Sequence, residues 1–175
     1  MKANDLLKQQ HRDVERIFDR IEGGAEPIQE LIEELADNLA AHALIEEQLF
    51  YPAAKAAADE KGVDVVMEAL EEHAIAKIAL MRLLETGIDE EPFKARVCLL
   101  KELVLNHVDE EEDELLPNAE KVLNDETLSA LGVQMRDLFD DAMTKGHERV
   151  LGPKQAASRA EQRAAANGAA RTASR

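Results

Sequence analysis

The chain has 175 residues, a formal net charge of −16, only 3% aromatic residues and no Trp. That length suits one domain with an aliphatic core. The acidic balance argues against a phosphate-backbone partner, which needs clustered Lys and Arg. No run of about 18 apolar residues is present to cross a membrane.

Ala, Leu, Glu, Lys and Arg dominate, and Gly and Pro are sparse. These are strong helix formers, so the expected class is all-α. A single cysteine, Cys98, excludes an internal disulfide and fits a reducing compartment. The N-terminal stretch MKANDLLKQQHRDVER is charged and amphipathic and has no apolar signal-peptide core. A cytoplasmic location is therefore expected.

Helical periodicity recurs along the chain. Leu7, His11, Val14, Phe18 and Ile21 form the first stripe, which EGGAEP (22–27) breaks. Leu31, Leu35, Leu39, His42, Glu46 and Leu49 form the second, expected to stop near Pro52. Val66, Leu70, His73, Lys77, Met81 and Leu84 form the third, and ETGIDEEP (85–92) ends it. Phe93, Val97, Leu100, Val104, His107, Glu111 and Leu115 form the fourth, expected to stop near Pro117. A shorter amphipathic segment carries Leu128, Leu131, Met135, Leu138 and Phe139.

These stripes predict an up-down-up-down four-helix bundle over residues 1–120. A further amphipathic helix occupies 121–145. Residues 146–175 are rich in Ala, Arg and Ser and carry six basic against two acidic side chains. They can bury little and are expected to form a flexible tail.

The two halves of the bundle repeat each other. In LAAHALIEEQLFYP and LNHVDEEEDELLP, a His is followed four residues later by Glu and ten residues later by Pro. Each of the four helices carries one His on its apolar stripe: His11, His42, His73 and His107. Residues four apart share a helix face, so Glu46 and Glu111 point inward beside His42 and His107. Taken singly, a stripe His is most often a satisfied core residue and an i, i+4 pair a surface contact. Four histidines at equivalent places, with two carboxylates that are costly to bury, point instead to a metal. Imidazole and carboxylate without thiolate suit iron or manganese, and zinc also accepts such donors.

This set, His11, His42-x-x-x-Glu46, His73 and His107-x-x-x-Glu111, resembles the hemerythrin family in its bacterial HHE cation-binding branch. The likeness covers about residues 5–120. It implies a four-helix bundle around a non-haem di-iron centre with an oxo or hydroxo bridge. Carried over, His11 and His42 bind one iron and His73 and His107 the other, with Glu46 and Glu111 bridging. Oxygen carriers of the family have a further His four residues after the third-helix His, where this chain has Lys77. They also have Asp five residues after the last His, where the match here is Glu at four. The four-His, two-Glu set is closer to iron-centre repair proteins and iron-sensing domains.

The function implied is binding of, or reaction with, a small oxidant: dioxygen, peroxide or nitric oxide. The alternative is an iron-sensing or storage module without turnover. A ferritin-like oxidase is disfavoured, because its Glu-x-x-His order is reversed here. Lys77 is read as packing its stem and snorkelling its ammonium outward, or as donating to a bound anion. Tyr51 lies well round an α-helix from Glu46, so packing is the expected role. The other acids near the two motifs, Glu47, Asp109, Glu110, Glu112, Asp113 and Glu114, are read as a solvated face. Cys98 is read as a packing residue, and His147 is set aside with the tail.

Overall fold

A computed structural model describes residues 1–151. Its elements are α1 (Ala3–Glu22), α2 (Ile28–Ile45), α3 (Tyr51–Ala57), α4 (Glu60–Leu84), α5 (Phe93–Glu110), α6 (Leu116–Val122), α7 (Asp125–Lys145) and α8 (His147–Val150). A π-helical turn, Glu46–Phe50, joins α2 to α3, and a second, Glu111–Leu115, joins α5 to α6. No strand occurs among the described residues. Asp59 and Asn124 start α4 and α7 by accepting from the backbone N–H groups of Gly62 and Thr127, at 2.9 and 2.8 Å. Each satisfies a donor that a helix start would leave unpaired.

The bundle pairs α1 with α2 and α4 with α5, and the pairs meet through α1 with α5 and α2 with α4. The 21-residue α7 lies across α1 and α2. Its approach to the N-terminus is close: a Cβ on Gly132 would come within 2.4 Å of the Met1 carbonyl oxygen. Only glycine admits that contact without a shift of the backbone.

The aliphatic core forms two clusters. One holds Phe18, Leu35, Leu83 and Leu100, and the other holds Leu7, Phe50, Leu116, Leu128 and Met135. Phe18 is fully buried. Its replacement by Ala should cost about 3–5 kcal/mol, the usual range for a buried aromatic.

The helices do not stop at the two prolines. Proline has no N–H and its ring clashes with the carbonyl four residues back. Widening one turn relieves both problems, and Tyr51 N–H then bonds to Glu46 O and Leu116 N–H to Glu111 O, five residues back. The chain continues as α3 and α6, so both motifs lie within long, continuous helical runs.

Residues 146–151, placed in the tail on composition, pack onto α2. Gly146 ends α7 at φ 76°. His147, buried, donates from its backbone N and from Nδ1 to Asp37 Oδ1, at 2.7 and 2.6 Å. The rest of the expected flexible tail, 152–175, lies outside the described residues. Cys98 is exposed rather than packed.

Candidate metal centre

The four histidines and two glutamates meet in a buried layer of the bundle. His42 Nε2 and His73 Nε2 each lie 3.2 Å from Glu46 Oε2, and His11 Nε2 lies 3.2 Å from Glu111 Oε2. His73 Nε2 and His107 Nε2 face each other at 3.0 Å. The donors fall into two overlapping groups, each with its ligand atoms within 4.8 Å of one another. One is His11, His42, Glu46 and Glu111; the other is Glu46, His73 and His107. Glu46 belongs to both.

Each imidazole is tied from behind at Nδ1. His11 donates to Glu112 at 2.8 Å, His42 to Gln10 at 2.9 Å, His73 to Glu47 at 2.9 Å and His107 to Glu72 at 2.8 Å. These partners follow the repeat. The residue before each lone His, Gln10 or Glu72, holds the motif His of the same half. The residue after each inward Glu, Glu47 or Glu112, holds the lone His of the opposite half. Cations balance two of the three outer acids: Arg12 pairs with Glu112, and Lys77 with Glu47 at 2.6 Å.

Glu47 and Glu112 are therefore not part of a purely solvated face. The signal for them is the doubled Glu at 46–47 and 111–112, together with the polar residue preceding His11 and His73. Lys77 does not swing free into solvent; it lines the central cavity and pairs with Glu47.

Tyr51 also departs from expectation. In an α-helix it would sit about 140° round from Glu46. The π turn stacks it above Glu46, and its buried hydroxyl lies 3.3 Å from His73 Nε2. Leu116 occupies the equivalent place before Pro117 in the second half, so the phenol makes the two halves of the centre unequal.

This arrangement asks for a cation. With its proton held on Nδ1 by the acceptor behind it, a neutral imidazole turns its Nε2 lone pair inward. His11 Nε2, His42 Nε2 and all four oxygens of Glu46 and Glu111 are buried without a hydrogen-bond partner. Two buried carboxylates would cost several kcal/mol each if left uncompensated.

Protons can meet part of that need. Burial alone would push Glu46 up, but His42 and His73 outweigh it and hold the carboxyl well below its usual range. Burial likewise works against charge on His73, yet Glu46 and Glu47 raise it to about 9. Burial opposes charge on His11 too, and Glu111, Glu46 and Glu112 raise it overall. Burial and the Glu46 and Glu111 charges push the Tyr51 hydroxyl well above its ordinary value. A cation among the Nε2 and carboxylate atoms would satisfy the same groups, and hydrogen bonds behind metal-binding histidines are the usual support for such a site.

On the side away from the glutamates lies a cavity of about 40 Å³, lined by the four histidines, Lys77 and apolar groups including Val104 and Leu151. A cavity of about 10–15 Å³ on this measure holds one water, so there is room for a few small molecules.

Residues 2–119 match the model of the Hemerythrin HHE cation binding domain family. The fold is similar to the crystal structure of a hemerythrin HHE cation-binding domain-containing protein from Mycobacterium kansasii. Identity is 27% and the TM-score 0.73, over 83% of this chain and 89% of that one. No curated protein matches the chain.

Proposed function

The chain belongs to the hemerythrin HHE cation-binding family, and from that premise we propose that it is a non-haem di-iron protein that binds or reacts with a small oxidant. In this reading His11 and His42 would hold one iron and His73 and His107 the other, with Glu46 and Glu111 as the carboxylate ligands. The observation that carries the reading is the inward set of buried, unpartnered Nε2 and carboxylate atoms. The Nδ1 contacts support it, because they leave each Nε2 lone pair available. Donor chemistry without thiolate supports iron.

Bound iron would supply electrons and open coordination positions. The chain's own groups set the conditions around it. The cavity admits dioxygen, peroxide or nitric oxide and excludes larger substrates by volume. Its apolar walls limit water. Lys77 places an ammonium at the cavity wall, held there by Glu47.

The test is rapid mixing of protein loaded with iron(II) under anaerobic conditions against air-saturated buffer, peroxide or nitric oxide, followed in the near ultraviolet. A reaction about tenfold or more faster than that of free iron(II), equivalent to about 1.4 kcal/mol of barrier, supports the proposal. Iron that binds but responds to none of the three would point instead to storage or metal sensing.

A further inference from the structure

A second opening reaches the centre from another side. It lies between α4 and the π turn after α5, and encloses a pocket of about 250 Å³. Its walls carry Glu68 and Glu72 from one side and Asp109, Glu110, Asp113 and Glu114 from the other. Lys61, paired with Glu114 at 2.8 Å, is an exposed cation at the rim. His107 and Glu111 also line this pocket. Glu111 is 3% exposed, and both its oxygens lack a hydrogen-bond partner. A buried carboxylate that makes no hydrogen bond, with His11 Nε2 its nearest cationic group at 3.2 Å, thus lies at the inner end of an acidic opening.

The two openings differ in chemistry. The central cavity is walled by aliphatic side chains, with Lys77 the one cationic group besides the histidines among the described residues that line it. That suits a small uncharged molecule and opposes a dication. The α4–α5 opening carries carboxylates from the exposed Glu68 and Glu110 inward to Glu111. A hydrated dication entering a buried site must exchange water for other oxygens, and carboxylates in series offer them stepwise. A cleft lined by one sign of charge also raises the local concentration of counter-ions.

We infer that the acidic opening between α4 and the second π turn is a loading vestibule for divalent metal ions, distinct from the cavity that takes the small oxidant. The inference rests on the metal reading above. It gives the run Asp109–Glu114 a division of labour. Glu112 turns away to hold His11, Glu111 faces the centre, and the other four acids line the entrance.

The test measures the rate of metal uptake by the full-length, metal-free protein. Cobalt(II) alone is the probe, because its visible absorption reports ligation. The variant Glu68→Gln/Glu110→Gln/Asp113→Asn removes three exposed carboxylates that are not among the six central donors. The charge-keeping variant Glu68→Asp/Glu110→Asp/Asp113→Glu retains them. A control, Glu85→Gln/Asp89→Asn/Glu91→Gln, removes equal charge at the far end of α4 and α5, about 18 Å along α4 from Glu72.

The neutral vestibule variant should load about tenfold or more slowly at low ionic strength. The gap should close near 0.5 M salt, where charges are screened beyond about 4 Å. The amount bound at saturation and the melting temperature should match the parent, and the charge-keeping and far-end variants should load at the parent rate. Equal loading by the neutral variant, or equal slowing by the far-end control, would overturn the vestibule alone. A parent protein that takes up no metal would overturn the metal reading and the vestibule together.

Discussion

Glu47 and His73 sit in opposite halves of the repeat, yet Glu47 Oε1 accepts from His73 Nδ1 at 2.9 Å. Glu112 and His11 make the matching contact in the other direction, at 2.8 Å. Each half therefore aims a histidine of the other. The centre is laced across the bundle, and neither helical hairpin completes it alone.

This lacing predicts the effect of Glu47→Ala. His73 loses its acceptor and Lys77 its counter-ion, while the inward donors remain. Metal affinity should fall about 10- to 100-fold, the usual loss when a support behind a ligand is removed. Competitive titration against a chelator measures it. An unchanged affinity would show that Glu47 does not orient the ring.

The sharing of Glu46 makes the two carboxylates unequal. Glu46 belongs to both donor groups, whereas Glu111 belongs to the His11–His42 group. Glu46→Ala should therefore reduce retention of both metals, and Glu111→Ala should leave about one per chain on the His73 side. Elemental analysis after desalting separates these outcomes, and equal losses in the two variants would contradict the asymmetry.

Protons and metal compete for the same atoms, so pH should act oppositely on the two forms. The His73 pKa stands at about 9 in the folded chain, against 6.5 ordinarily. Its raised pKa contributes stability that is fully present below about 6.5 and is lost as pH rises toward about 9. From this group, the metal-free melting temperature should fall across that window. Metal affinity should rise across it, because binding displaces the Nε2 proton. Melting curves and metal titrations at several pH values check both slopes. A metal-free protein that gains stability over the window would contradict the assignment.

The cavity predicts a separation of binding from reactivity. Ala76 lines it beside Lys77. Ala76→Leu should fill much of the space, slow reaction with peroxide about tenfold or more, and leave the metal count unchanged. Overpacking costs about 1–3 kcal/mol at most sites, so the melting temperature should drop modestly. Full reactivity in a filled cavity would show that the oxidant arrives elsewhere.

The four bundle helices and the convergence of His11, His42, Glu46, His73, His107 and Glu111 were legible in the chain because stripe residues and i, i+4 partners share a face. What was not legible depends on neighbours or on departures from 3.6 residues per turn. Glu47 and Glu112 follow inward residues by one position, and only helix packing tells which histidine they meet. Gln10 and Glu72 look like ordinary polar-face residues until the second helix of each hairpin is placed beside them. α-Helical geometry turns Tyr51 away from the centre, and the π turn before Pro52 brings it back. His147 looked like part of a polar tail, but Asp37 fixes it to α2.

The most direct test is the amount of iron the chain holds. Metal-free protein is loaded anaerobically with iron(II), passed through a desalting column and analysed for iron per chain, alongside His42→Leu/His107→Leu. The account predicts about two irons for the parent and a loss of both in the variant, whose bundle remains helical because leucine suits the buried stripe. A folded parent that retains no iron, or a variant that retains as much as the parent, would contradict it.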